Sequence, residues 1–435
     1  MGSLGDLHPF IALGRALRDL GVNTVIACSP EYRAKVEAAG VAYCPLRPGF
    51  DDIQRELGMD RAQLTRAVVK RSRFLFRELV LPYLGAGYED MMEATEDADL
   101  ILSSGLAFAA RLAAEQRGIP WIAVVLQPMM FFSSYDPPVI PKAEAFSALL
   151  RSMGPTPTRL ALWVIKRAVN VLFGPLRALR ADLGLAPSAQ NPLFEGQFSK
   201  GGAIGLYSRL LGDVQPDYPN PTSIVGFATF DAEGGSSVGL DPALRMFLDA
   251  GPAPLVFTLG SLIVNSPGQF YGHGVRAALK LRKRAVLLAG EQGCRELAHL
   301  QSAEVFIAAY APHSLLFPRA AAIIHHGGIG TLAQALRSGH PQLIVPYFAD
   351  QPDNAARARR LGVARILPPR RFSAASASRH LARLLGEDRY LEQARTIGEA
   401  LSAEDGAERA ARIVLDRLEE LGPKCARVFQ AEEVR

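Results

Sequence analysis

Cysteine is scarce: four in 435 residues, Cys28, Cys44, Cys294 and Cys425, with no CxxC pair among them. That scatter excludes a disulfide framework and a thiolate metal site. Cys28 and Cys44 sit in or beside apolar strand-like runs and are expected as buried thiols in a reducing compartment. Uninterrupted apolar stretches are lacking too. The two longest, Trp121–Phe132 and Leu160–Leu176, are broken by Gln127-Pro128 and Lys166-Arg167, so neither reads as a membrane-spanning helix. The opening Met1-Gly2-Ser3-Leu4-Gly5-Asp6 has neither the basic region nor the apolar core of a secretory signal, and a cytoplasmic location is expected. Aromatics make up 8% and the net charge is only +5, without an aromatic-interleaved basic patch; a nucleic-acid partner is not expected. Neither half carries GxGxxG followed about twenty residues later by an acidic residue, which disfavours a nicotinamide-dependent oxidoreductase.

What is present is an ordinary globular composition, 49% hydrophobic and 21% charged, in a chain long enough for two domains. Short apolar runs alternate with longer helical patterns in both halves, the signature of α/β layers around parallel sheets. Strands are expected at Asn23–Cys28, Val41–Leu46, Leu100–Ser103, Trp121–Leu126, Ala203–Tyr207 and Ser223–Val225. They recur at Leu255–Leu259, Ala285–Leu288, Val305–Ala309, Ala322–Ile324 and Leu343–Val345. Helices are expected at Pro9–Leu20, along Arg159–Gly184 with a bend at Gly174-Pro175, and at Asp353–Leu361. The Gly/Ser-rich stretch from Asp231 to Gly239 reads as a linker. The expected division is 1–230, a linker region 231–253, and 254–435. Only Met1 precedes the turn-like Gly2–Asp6, where a doubly wound sheet brings in a central strand of about five residues. The first domain is therefore expected to be truncated and to lack its first central strand.

The most informative stretch is Ala322-Ile323-Ile324-His325-His326-Gly327-Gly328-Ile329-Gly330-Thr331, leading into the helix-compatible Leu332–Arg337. A strand, a glycine-rich turn and a helix start present unpaired N–H groups and the positive helix end to a phosphate. The order and spacing of this block with Tyr310-Ala311-Pro312, Gly339-His340-Pro341-Gln342, Pro346 and Asp350-Gln351 resembles glycosyltransferase family 1. The N-terminal Gly2–Asp6 with Pro9 and Ala12-Leu13 resembles the acceptor-side loop of that family. Within the family the chain is similar to the bacterial branch that holds the rhamnosyltransferases of rhamnolipid synthesis, and to antibiotic and sterol glycosyltransferases. Its echoes there are Pro254–Thr258 with Gly260-Ser261, Gly226-Phe227 with Phe230-Asp231, and Gly118-Ile119-Pro120.

The resemblance implies a GT-B fold, two facing Rossmann-like doubly wound domains, with the nucleotide-sugar donor held by the second. It implies that His326, Gly328, Gly330 and Thr331 bind the donor diphosphate, with Ser261 adding a donor near the phosphates and His325 packing behind. Tyr310 takes the base-stacking position and Gln334 the ribose position, so a uridine or a deoxythymidine donor both stay open. Asp350 and Gln351 fall where the family contacts sugar hydroxyls, and a carboxylate–amide pair offers what a sugar needs. Asp6 falls at the position of the general base, with His8 as its rival. No metal and no cofactor are expected, the nucleotide-sugar being a substrate. The expected activity is inverting transfer of a hexose to a hydroxyl of a small hydrophobic acceptor, lipid-, sterol- or polyketide-like. A non-catalytic nucleotide-sugar-binding relative or partner subunit is the alternative. Met129-Met130-Phe131-Phe132 and the basic helices at Arg61–Arg77 and Arg159–Arg180 read as an apolar pocket lining, as a membrane-contacting face at the inner leaflet, or as core stripe with solvated charges.

Overall fold

The computed structural model describes residues 4–231 and 239–421. Gly2-Ser3 of the acceptor-side loop, most of the Gly/Ser-rich linker segment and Cys425 lie outside the described residues. Twelve strands are described: β1 (Val25–Cys28), β2 (Ala42–Pro45), β3 (Ile101–Ser104), β4 (Trp121–Val125), β5 (Ala203–Gly205), β6 (Thr222–Ile224), β7 (Leu255–Thr258), β8 (Ala285–Leu288), β9 (Val305–Ala308), β10 (Ala322–His325), β11 (Gln342–Ile344) and β12 (Ala364–Ile366). The helices that matter below are α1 (Leu4–Asp19), α2 (Leu84–Ala94), α3 (Phe108–Arg117), α4 (Glu144–Met153), α5 (Pro155–Asn170) and α6 (Gly174–Asp182) in the first half. In the second half they are α7 (Pro242–Asp249), α8 (Phe270–Lys280), α9 (Ile329–Arg337), α10 (Gln351–Arg360), α11 (Ala374–Gly386), α12 (Asp388–Ser402) and α13 (Gly406–Glu420).

The second half builds one six-stranded parallel sheet in the order β12-β11-β10-β7-β8-β9. Its inner strands Leu255–Thr258 and Ala285–Leu288 are apolar and buried along their whole length, as strands covered by helices on both faces must be. The first half divides differently. Strands β3-β4-β5-β6 form one parallel sheet, β1-β2 a separate parallel pair, and among the described residues no strand lies between β1 and β3. In the second half that position is filled by β7, between β10 and β8. The two sheets of the first half are bridged by helices instead: α1 packs on α13, and α2 packs on α3. This open edge explains one departure from expectation. Cys28 and Cys44 are half-buried rather than buried, and Val25 is 51% exposed.

Other departures have local causes. The first helix begins at Leu4, not Pro9, so Asp6 and His8 sit within its first turns; Pro9 forfeits the bond to the Gly5 carbonyl close to the helix entrance. The interval expected as a linker contains α7. Its N-cap Asp241 accepts from the amides of Ala243 and Leu244, Pro242 starts the helix, and Leu244 and Leu248 are buried against the second sheet. The C-terminal helix α13 returns to the first half, where the Arg417 guanidinium donates to the Gly201 carbonyl at 2.9 Å and the Ala203 carbonyl at 3.1 Å. The expected bend after α5 is present, as a short 3-10 turn over Val171–Phe173 ahead of α6. Among the described residues no helix is long and apolar enough to cross a membrane.

Candidate active site

Strand β10 delivers the two histidines to opposite tasks. His325, fully buried, donates from Nε2 to Gln342 Oε1 at 2.9 Å and accepts at Nδ1 from the Gly327 amide at 3.1 Å. It therefore holds the turn and is the packing partner. His326 points into the cavity. Its ring lies between two glycines: a Cβ on Gly260 would stand 2.5 Å from Cε1, and one on Gly328 would stand 2.4 Å from Nε2. Neither position accepts a side chain while the ring stays where it is. Burial pulls the His326 pKa down to about 3, with the neighbouring histidines adding to the effect, so the imidazole is neutral at physiological pH. Its Nδ1 is buried without a hydrogen-bond partner. Gly328 caps α9, so the free amides of Ile329, Gly330 and Thr331 open toward the same cavity.

A second turn completes this side. Gln351 Oε1 accepts from the amides of Tyr347 at 2.8 Å and Phe348 at 3.3 Å, closing the loop that precedes α10. Asp350 stands at the N-cap of α10 without capping it; its carboxylate accepts from Asn354 Nδ2 at 2.6 Å. Burial, then the charge of Asp6, raises the Asp350 pKa from 3.8 to about 7. Between those values the native state holds the proton more tightly than the unfolded chain. The stability contributed is full below the unfolded pKa and is lost as pH rises through about 7. Asp350→Asn therefore melts higher than the parent at pH 8 and close to it at pH 4, as scanning calorimetry at both values will read. Equal melting at pH 8 would contradict the raised pKa of this carboxyl.

Behind this turn a buried ion cluster joins the two halves. Arg357, 1% exposed, donates from Nε to Asp353 Oδ2 at 2.6 Å, from Nη1 to the Leu211 carbonyl at 2.7 Å, and to the Asp136 carboxylate. Asp353, fully buried, also accepts from the Val139 amide at 2.9 Å. Asp136 is held further by Arg151 at 2.8 Å, and the Arg357 guanidinium lowers its pKa against the opposing effect of burial. None of these residues is expected at the site from sequence, because Asp136 and Arg357 are 221 positions apart.

The start of α1 faces the start of α9 across a backbone approach so close that a Cβ on Gly330 would stand 3.5 Å from Gly5 Cα. Asp6, exposed in the first turn of α1, lines the cavity with Ser261, His326, Gly328, Gly330, Thr331, Asp350 and Gln351. Three expected residues are not on its walls. His8 is about 200° around the helix from Asp6 and points away. It packs edge-on against Phe230 at 5.5 Å, beside Lys35 Nζ at 3.5 Å, and burial, then Lys35, lowers its pKa to about 4. Tyr310 donates its hydroxyl to Asp231 at 3.0 Å, and Asp231 also accepts from the Ser314 amide at 2.5 Å. Gln334 sits one turn beyond Thr331 on α9.

The cavity holds about 2480 Å3 and continues from this polar end along Phe76, Met129, Met130, Phe132, Leu193 and Phe194, and beyond them along β1 and β3. One end thus presents helix N-termini, a neutral imidazole and two carboxyl groups; the other is greasy.

Three comparisons bear on these features. A sequence model of the Erythromycin biosynthesis protein CIII-like C-terminal domain matches residues 278–421. The chain is 31% identical over 430 residues to O-mycaminosyltylonolide 6-deoxyallosyltransferase of Streptomyces fradiae, covering 95% of each. It is 29% identical over 427 residues to vancomycin aglycone glucosyltransferase of Amycolatopsis orientalis, again covering 95% of each. Among solved structures, the glycosyltransferase VinC in complex with dTDP superposes with a TM-score of 0.64 at 19% identity, over 95% of this chain and 96% of that one.

Proposed function

The chain belongs to glycosyltransferase family 1, has the GT-B fold and transfers sugar, and from that premise we propose that it moves a hexose from a UDP- or dTDP-sugar to a hydroxyl of a hydrophobic acceptor, with inversion and without a metal. The observation that carries this reading is the meeting of two helix N-termini at one end of an apolar cavity, with Asp6 on one and His326 beside the other. Residues 254–435 hold the donor and residues 1–230 the acceptor. The diphosphate lies against the amides of Gly328 and Gly330 and the hydroxyl of Thr331, takes an N–H from neutral His326 and meets Ser261. Asp350 and Gln351 face the sugar. The nucleoside lies toward Tyr310 and Gln334, and dTDP in the VinC complex supports a deoxythymidine donor as one of the two choices. The apolar wall of Met129, Phe132 and Phe194 supports a greasy acceptor.

The step balances as a single displacement. The acceptor oxygen bonds to the anomeric carbon while its proton passes to the Asp6 carboxylate. The bond from that carbon to the diphosphate oxygen breaks, and the nucleoside diphosphate leaves with the electron pair. The positive end of α9 and the His326 N–H stabilise the charge that develops there. His8, turned away from the cavity, takes no part in this account. Full-length similarity to named transferases favours it over a non-catalytic subunit.

Asp6→Asn tests the reading. Transfer is expected to fall by roughly 10²–10⁴-fold, the usual worth of a general base, with nucleoside diphosphate affinity unchanged by calorimetry. Transfer within twofold of the parent would remove Asp6 from the mechanism.

A further inference from the structure

The helical hairpin α4–α5 is built inside out. Its inward residues are few and small or modestly apolar: Ser147 and Leu150 on α4, Thr158 and Leu162 on α5. Its outward side carries Phe146, Leu149 and Met153, then Leu160, Trp163 and Val164, with Val171 just past the end, at exposures from 42% to 77%. These are seven of the fifteen large hydrophobic side chains exposed among the described residues, and they fall within 26 consecutive positions. The spacings i, i+3, i+7 on α4 and i, i+3, i+4 on α5 put each set on one helical face. Scattered exposed leucines need no explanation; a contiguous stripe does.

The charge on the hairpin is mainly basic: Glu144 at the start of α4 is its one carboxylate, against Arg151, Arg159, Lys166 and Arg167, of which Arg151 and Lys166 are paired with Asp136 and Glu195. Helix α5 carries Arg159, Lys166 and Arg167 and no carboxylate. Arg159 and Arg167 are exposed, the latter with its guanidinium 5.2 Å from the Trp163 ring centre. Lys142 reaches the Lys70 carbonyl at 3.2 Å, which brings the exposed Lys70, Arg71 and Arg73 to the same side. A greasy helical face with a tryptophan and a basic margin has the composition of a helix lying in a bilayer interface, and its positive charge complements anionic headgroups.

We propose that α4–α5 is a docking surface for an anionic lipid bilayer, engaged in the plane of the headgroups. The opposite side of the hairpin supports its use. Ile165 and Val169 of α5, with Leu172 beyond and Ile140 ahead of α4, line the acceptor end of the cavity. One layer of helix therefore separates the bilayer from the place where a hydrophobic acceptor sits. This last point rests on the acceptor reading above; the docking surface does not.

The test uses the full chain with vesicles of phosphatidylcholine, with and without phosphatidylglycerol, and no sugar donor. Co-sedimentation with the anionic vesicles is expected, weakened by salt. In a Trp121→Phe background the Trp163 emission shifts to the blue on binding. Leu160→Ser with Trp163→Ser lowers partitioning about tenfold or more, as does Arg159→Glu with Arg167→Glu, while circular dichroism and melting stay those of the parent. The idea is overturned if the folded protein ignores both vesicles, or if the Leu160/Trp163 variant binds as the parent does. It is also overturned if sedimentation equilibrium shows a dimer abolished by that variant, which would make a second copy the occupant. Transfer to a water-soluble acceptor is expected to be unchanged in both double variants, so a failure here stays separable from a failure of the active-site reading.

Discussion

Replacing His326 by alanine is expected to lower kcat/KM for sugar transfer by roughly 10²–10³-fold, the cost of losing one preorganised donor to a developing anion. The residue is neutral, because burial pulls its pKa to about 3. In the proposed mechanism it therefore acts as a hydrogen-bond donor, and transfer is expected to show no acidic or basic limb from it between pH 5 and pH 9. Two observations make the effect specific. The ring is clamped between Gly260 and Gly328, positions that leave no room for a Cβ, so its orientation is fixed before the donor arrives. Its turn is held independently by His325 and Gln342 at 2.9 Å, so alanine at 326 leaves the backbone cradle standing. Melting within a few degrees of the parent, with nucleoside diphosphate affinity reduced, separates loss of the donor from loss of the fold. Full activity in the variant would leave the cradle amides as the whole diphosphate site.

Replacing Arg357 by alanine is expected to cost about 3–5 kcal/mol of stability, the penalty for leaving a buried partner without its counter-charge. Asp353 is wholly buried and its carboxylate keeps the Val139 amide but loses the guanidinium; Asp136 keeps Arg151 at 2.8 Å and the more distant Arg360 at 3.7 Å. Urea denaturation reads the loss directly. Arg357→Met combined with Asp353→Asn is expected to recover most of it, since the only charge left in the cluster, Asp136, keeps Arg151 and Arg360, and the asparagine can still accept from Val139. The cluster also fixes the first turns of α10, which carry Asp350 and Gln351. The alanine variant is thus expected to bind nucleotide-sugar more weakly than it binds the nucleoside diphosphate alone. A stability loss below about 1 kcal/mol would mean that water reaches the cluster.

Much of the proposed donor side is legible in the sequence because its signals are local. The strand–turn–helix at His325–Arg337 and the pair Asp350-Gln351 each lie within one supersecondary unit, so periodicity and glycine placement reveal them. The division of labour between His325 and His326 follows from strand alternation, since neighbouring side chains leave a strand on opposite faces. What the sequence hides is what folding brings together from afar. Nothing near Asp136 announces Arg357, and nothing near Gly260 announces that its missing side chain makes room for His326. The Asp241-Pro242 start of α7 is a visible helix signal, masked by the glycine-rich stretch before it. Asp6 does line the cavity, but its helix starts five residues earlier than Pro9 suggests. On a turn His8 could share the site with Asp6; on a helix it cannot. The half-exposed thiols of β1 and β2 are not readable locally either, because their exposure depends on the unpaired edges of two separate sheets.

The account turns on the cradle at the start of α9 as a nucleoside diphosphate site. Thermal unfolding with UDP, dTDP and their sugars, beside the free nucleosides, tests it most directly. At least one diphosphate series is expected to raise the melting temperature of the parent by several degrees, the nucleosides to leave it unchanged, and His326→Ala to reduce the shift. Stabilisation by neither diphosphate series, in protein shown to be folded, would contradict the donor site and with it the proposed transfer.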